Sequence, residues 1–133
     1  MVSRIFIYGT LRRGSSAAYC KMAEPLYDTC LTDCKLYGHR LARVNGATYP
    51  TVTDRSEPGN YVTGHVVGGH KVERFEALLE LCDEIEGYPT LYTRKVVDVV
   101  VGDNDLEVVK AYVYQYVEQE DVVPIDGHTW PLS

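Results

Sequence analysis

Glu86 is the side chain whose place in the sequence most needs a chemical explanation. Residues 71 to about 85 carry a helical pattern. At about 100° per residue, Phe75, Leu78, Leu79 and Cys82 share one apolar stripe. Glu73, Glu76, Glu80 and Glu84 share the opposite side and read as a solvated face. Glu86, four residues beyond Cys82, falls in the middle of the apolar stripe, and Gly87 and Pro89 then stop the helix. A carboxylate there meets the negative end of the helix dipole. Turned inward, it also loses hydration, which raises its pKa. Both effects disfavour a glutamate, and such violations concentrate at functional sites, where a carboxyl of raised pKa serves as general acid and base. The structural alternatives are fraying of the helix end into water, or a pair with Arg94.

The second chemical feature is Ile7-Tyr8-Gly9-Thr10-Leu11, which leaves an apolar run through a glycine. Backbone N–H groups at such a turn are free of sheet pairing and can converge on an anion, such as the carboxylate of a small ligand. Arg12 is placed to add charge. A phosphate loop is a poor match, because no Gly-Lys-Ser/Thr follows. Cys20, Cys30, Cys34 and Cys82 fit neither a zinc ligand set nor a disulfide framework. Cys30 and Cys34, with His39, come nearest to a metal site, but reduced and mostly buried thiols of a cytoplasmic protein are the better reading. A cysteine nucleophile, with His39, His65, His70 or His128 as base, is the rival chemistry, and none of the four has a recognisable nucleophile signature.

The elements that must position these groups follow from the hydrophobic pattern. Residues 4–8 form a short apolar, β-branched and aromatic strand, and Ser15 or Ser16 is placed to cap a short helix through about residue 22. Strand-like pieces occupy 31–41 and 44–52, broken by Gly38, Asn45-Gly46 and Pro50. A polar turn at 54–60 precedes a strand at 61–67 that ends at Gly68-Gly69. After the long helix, 92–101 and 106–116 flank Gly102-Asp103-Asn104-Asp105, a hairpin signal. The tail beyond Val117 is polar, with Trp130 as its one aromatic anchor. This order predicts an α+β fold: a mixed β-sheet curled into a small barrel with two main helices packed on it.

A chain of 133 residues suits one domain, taken here as 1–133, since single domains cluster at roughly 100–150 residues. Thirteen basic against nineteen acidic side chains give a net charge of −6, with no basic stripe beyond Arg12-Arg13, so nucleic acid is not an expected partner. The apolar runs fall far short of the ~20 residues a membrane-spanning helix needs, and the opening residues show no apolar signal segment.

The ordered motifs resemble the γ-glutamylcyclotransferase-like family, in its γ-glutamylamine cyclotransferase and avirulence-induced-protein-like branch. They begin with Phe6-Ile7-Tyr8-Gly9-Thr10-Leu11-Arg12 and Gly14, followed by Gly46 with Tyr49-Pro50 and Val62 with Gly64 and Val66-Val67. The fullest match is Asp83-Glu84-Ile85-Glu86-Gly87-Tyr88-Pro89, then Leu91-Tyr92-Thr93-Arg94, Ala111-Tyr112-Val113-Tyr114 and Gly127 with Trp130. The resemblance implies that Glu86 is the catalytic acid/base, and that Tyr8, Gly9, Thr10 and Leu11 bind the γ-glutamyl head group. It also implies that Tyr92 and Tyr114 line the pocket. The implied reaction cyclises a γ-glutamyl group to 5-oxoproline and releases an amine or amino acid, without metal or cofactor. His65, Cys82 and Gly68-Gly69-His70 depart from the family pattern and leave the pocket's shape open. The reading of a different class is a non-catalytic module of the same fold that binds a small amino-acid-like ligand.

Overall fold

A computed structural model describes residues 2–15, 17–54, 59–102 and 107–131. Its strands are β1 (Arg4–Ile7), β2 (Thr29–Tyr37), β3 (Arg40–Val44), β4 (Pro50–Thr53), β5 (Tyr61–Gly68), β6 (Tyr92–Val101), β7 (Glu107–Tyr116) and β8 (Val122–Pro124). Its helices are α1 (Ala18–Ala23) and α2 (Val72–Glu86), with short 3-10 turns at Glu24–Leu26 and Gln119–Asp121. Five strands close a barrel in the order β1-β5-β2-β6-β7. The closing contact is parallel, Ile5 and Phe6 of β1 lying opposite Tyr112 and Val113 of β7, while the other barrel pairings are antiparallel. A separate antiparallel sheet runs β4-β3-β8. The expected α+β barrel with two helices is therefore the observed architecture.

The period-two alternation of strands separates two apolar clusters. Phe6 points into the barrel with Leu36, Val62, Val66, Val99 and Val113. Its neighbours Ile5 and Ile7 face outward and join Val67, Phe75, Leu78, Cys82 and Tyr114, which is where α2 seats. The expected division of α2 holds: Phe75, Leu78 and Cys82 are buried, and Glu73, Glu76, Glu80 and Glu84 are exposed. Two glycines permit close approaches, Gly69 to the first turn of α2 and Gly64 to β1. A Cβ at Gly69 would lie 2.9 Å from the Phe75 backbone nitrogen, and one at Gly64 would strike the Ile7 carbonyl and sit 2.8 Å from the Phe6 ring.

Some expectations need correction. Ser15 does not cap the first helix: α1 begins at Ala18 behind an Ala17 with no side-chain cap, while Ser15 Oγ accepts the Ala17 N–H at 3.1 Å within the preceding turn. Ser16, residues 55–58 of the polar turn and residues 103–106 of the hairpin tip lie outside the described residues. The hairpin arms do pair antiparallel, from Tyr92 opposite Tyr116 to Val101 opposite Glu107. The tail is more structured than its polarity implies, since β8 adds to β3 as an edge strand, where Pro124 is tolerated. Ile125 and Trp130 pack against the barrel cluster.

Because both neighbours of a Cβ at position 64 are backbone or buried ring, Gly64→Ala is expected to cost about 2 kcal/mol of stability. Urea unfolding of the variant against the parent measures this directly.

Candidate active site

The end of α2 is set by its cap. Gly87 adopts the left-handed conformation (φ 67°, ψ 37°), its N–H reaching back to Glu84 O, while the Tyr88 N–H donates to Asp83 O at 2.9 Å. Thr90 and Leu91 then both donate to Gly87 O at 2.9 Å, which aims the chain into β6. Glu86 is thereby held as the last helical residue, and the helix does not fray.

Two carboxylates in this last turn meet different surroundings. Asp83 accepts Arg94 Nε at 2.9 Å and Nη2 at 3.2 Å, and also the Tyr114 hydroxyl at 2.6 Å. The Arg94 guanidinium lies 4.3 Å from the Tyr88 ring centroid and 5.0 Å from that of Tyr112. Arg94 thus serves Asp83, and the pair with Glu86 considered from the sequence does not form. Among the described residues, no hydrogen-bond donor or cation pairs with Glu86. Burial alone pushes its carboxyl from 4.5 up to about 7.

The groups around Glu86 are neutral. Tyr8 donates its hydroxyl to the Tyr114 carbonyl at 2.6 Å, and Tyr92 donates to the Pro50 carbonyl at 2.6 Å. Burial first, and then the Glu86 charge, raises both phenols above their ordinary range. Burial first, and then the Glu86 and Asp83 charges, push the Cys82 thiol up to about 12.

Across from Glu86 stands the loop after β1. Its carbonyls are directed elsewhere: Gly9 O accepts the Arg12 N–H (3.2 Å) and Arg12 Nε (3.0 Å), and Leu11 O accepts the Tyr27 hydroxyl (2.7 Å). The N–H groups of Gly9, Thr10 and Leu11 have no intramolecular acceptor among the described residues. Gly9 also allows a close approach to β4, since a Cβ there would lie 3.0 Å from Pro50 Cγ.

A cavity of about 400 Å³ joins these parts. All seven residues singled out from the sequence line it: Glu86, Tyr8, Gly9, Thr10, Leu11, Tyr92 and Tyr114. Arg12 does not. Its guanidinium turns to the Gly9 and Trp130 carbonyls and faces a second cleft of about 300 Å³ that also holds His65. The expectation that Arg12 adds charge to the loop's anion site is therefore corrected: backbone acceptors on the far side of the loop claim it. Tyr19 was not expected at the cavity; Cys82, weighed as a nucleophile and as a departure bearing on the pocket's shape, lines it, and Tyr49, Pro50 and Leu91 stood among the quoted motifs without an assigned role.

A family model described as gamma-glutamyl cyclotransferase, AIG2-like, matches residues 5–132. No curated protein matches the sequence. Among solved structures, an AIG2-like protein from Mus musculus is similar at 24% identity and TM-score 0.61, over 86% of this chain and 77% of that one. A protein from Arabidopsis thaliana is similar at 27% identity and TM-score 0.63, over 90% of this chain and 64% of its own. A structure titled gamma-glutamyl cyclotransferase shares the fold at 17% identity and TM-score 0.60, over 95% of this chain and 73% of its own.

The position of Glu86 has a consequence for stability. Between 4.5 and about 7 the folded state retains a proton that the unfolded state has released, so this group's contribution to stability falls as pH rises through that window. Glutamine has no such dependence. Thermal denaturation of wild type and Glu86→Gln across this range should show their Tm difference shifting in the variant's favour as pH rises. A constant difference would mean that the carboxyl titrates as it does in water.

Proposed function

Since the chain belongs to the gamma-glutamyl cyclotransferase, AIG2-like family, we propose that it cyclises a γ-glutamyl substrate to 5-oxoproline, with Glu86 as the general acid and base. One observation carries this reading: an unpaired carboxyl, raised to about 7, shares a cavity with a loop whose N–H groups are unused. A base poised near neutrality both accepts and returns a proton at modest cost.

The substrate's α-carboxylate binds the N–H groups of the loop at residues 9–11, as an anion does at converging backbone donors. Its α-ammonium then lies towards Glu86 and transfers a proton to the carboxylate. The freed nitrogen lone pair attacks the γ-carbonyl carbon of the same molecule, closing a five-membered ring. Holding both reactants in one folded conformer converts binding energy into rate, and well-oriented intramolecular reactions reach effective molarities of roughly 10⁵–10⁸ M. Glu86 returns the proton to the departing nitrogen, and the oxyanion re-forms the carbonyl as the carbon–nitrogen bond breaks. Glu86 takes the second proton from the ring nitrogen and passes it to the released amine, so that 5-oxoproline and an ammonium leave and the carboxylate is restored. Protons and electrons balance within the substrate and one carboxyl group, so the reaction draws on no cofactor. Tyr8 and Tyr92 form the walls that keep the ring-closing conformer in place.

The thiol alternative finds less support. Cys82 alone of the four cysteines lines the cavity, no histidine lines it, and a thiol pushed up to about 12 stays protonated at neutral pH.

Replacing Glu86 by glutamine is expected to lower kcat/KM for 5-oxoproline release by about 10²–10⁴-fold while leaving the circular-dichroism spectrum unchanged. In wild type, kcat/KM should fall about tenfold per pH unit below an apparent pKa of about 7. Undiminished turnover by the glutamine variant removes Glu86 from the chemistry, and binding of 5-oxoproline without turnover of any γ-glutamyl compound favours the ligand-binding module.

A further inference from the structure

The cavity has two parts of different character. Its floor is buried: Tyr8, Leu11, Tyr92 and Tyr114 are each at most 6% exposed. Its rim comes from segments far apart in the chain: Tyr19 on α1, Tyr49 with Pro50 at the start of β4, and Leu91 between α2 and β6. Tyr19, Tyr49 and Leu91 are 56%, 57% and 45% exposed, so three large side chains gather around one opening in contact with water. Apolar groups gathered at the mouth of a cavity mark a surface that a ligand covers.

Among the described lining residues, Glu86 is the one carboxylate, and no lysine, arginine or histidine joins it. Nearby charges are already engaged, with Arg94 on Asp83 and Arg12 turned to the Gly9 and Trp130 carbonyls. The loop and Glu86 are occupied by the head group, so the rim is what remains for the departing amine. A charged substituent brought there would lose water and find no opposite charge among the described residues that form the rim. An alkyl or aryl group would cover Tyr19, Tyr49 and Leu91 and gain from removing them from water.

Resting on the cyclotransferase reading, we infer that the leaving group of the natural substrate is an uncharged apolar amine, aliphatic or aromatic, and not an amino acid or a diamine. Tyr49 and Leu91 are then specificity-determining residues. The cationic case is the sharpest comparison, because tyrosine ring faces attract cations. Against it, Leu91 and Pro50 present no such faces, and the lining's single carboxyl exchanges protons with the substrate.

The test uses the γ-glutamyl amides of pentylamine, diaminopentane and aminopentanoate, which match in length and differ in terminal charge. The readout is 5-oxoproline release by the full chain. The expected result is a kcat/KM for the pentylamide at least about tenfold above that of either charged amide. Tyr49→Ala and Leu91→Ala should each shrink the pentylamide's advantage over the charged amides about fivefold. Equal or faster turnover of a charged amide overturns the inference and leaves the cyclotransferase reading intact. Release of 5-oxoproline from none of the three overturns both.

Discussion

One cation stands at the C-terminal end of α2, and it binds Asp83. Arg94 engages that carboxylate through two nitrogens, and Tyr114 adds a third hydrogen bond. The site's chemical character depends on this choice. Had the guanidinium reached Glu86, the opposite charge would have favoured the ionised carboxylate and lowered its pKa. Paired to Asp83, it anchors β6 and β7 to the helix end while the neighbouring carboxyl stays alone in an apolar setting. Two acids three residues apart thus meet different surroundings: one binds the scaffold together and the other keeps an unpaired carboxyl at the cavity wall.

The barrel explains why these parts meet. β1 lies between β5 and β7, so the loop at its end emerges beside the strands that carry Tyr92 and Tyr114. Gly64 and Gly69 let Phe6 and the first turn of α2 approach the sheet closely. That fixes the helix axis, and Gly87 fixes where it stops. The position of Glu86 is therefore determined by packing several turns away, through Phe75 and Leu78.

Much of this was legible in the sequence, for definable physical reasons. The face of Glu86 follows from helical periodicity and a glycine stop, both local signals. The hairpin arms and β5 follow from β-branched and aromatic runs, and the motif order carried the family. What was not legible depends on distant partners. The destination of Arg12 is decided by the Trp130 carbonyl, and that of Arg94 by a register that sets it directly opposite Tyr114. β8 is three residues ending in a proline, too short for alternation to reveal. Tyr19 lies on a helix of six residues, too short for a face to be assigned from periodicity.

The link from Arg12 to both Gly9 and Trp130 makes the loop and the tail one mechanical unit. The tail is fastened elsewhere too, through the Thr63 N–H to the His128 carbonyl at 2.8 Å and through the Thr63 and Thr129 hydroxyls. A segment that is not among the cavity's lining is thereby tied to the loop on the cavity wall, much as a guy-line steadies a mast. Because the bonds to His128 and Trp130 run to backbone carbonyls, change in those side chains would reach the loop through the seating of Trp130 on the barrel cluster.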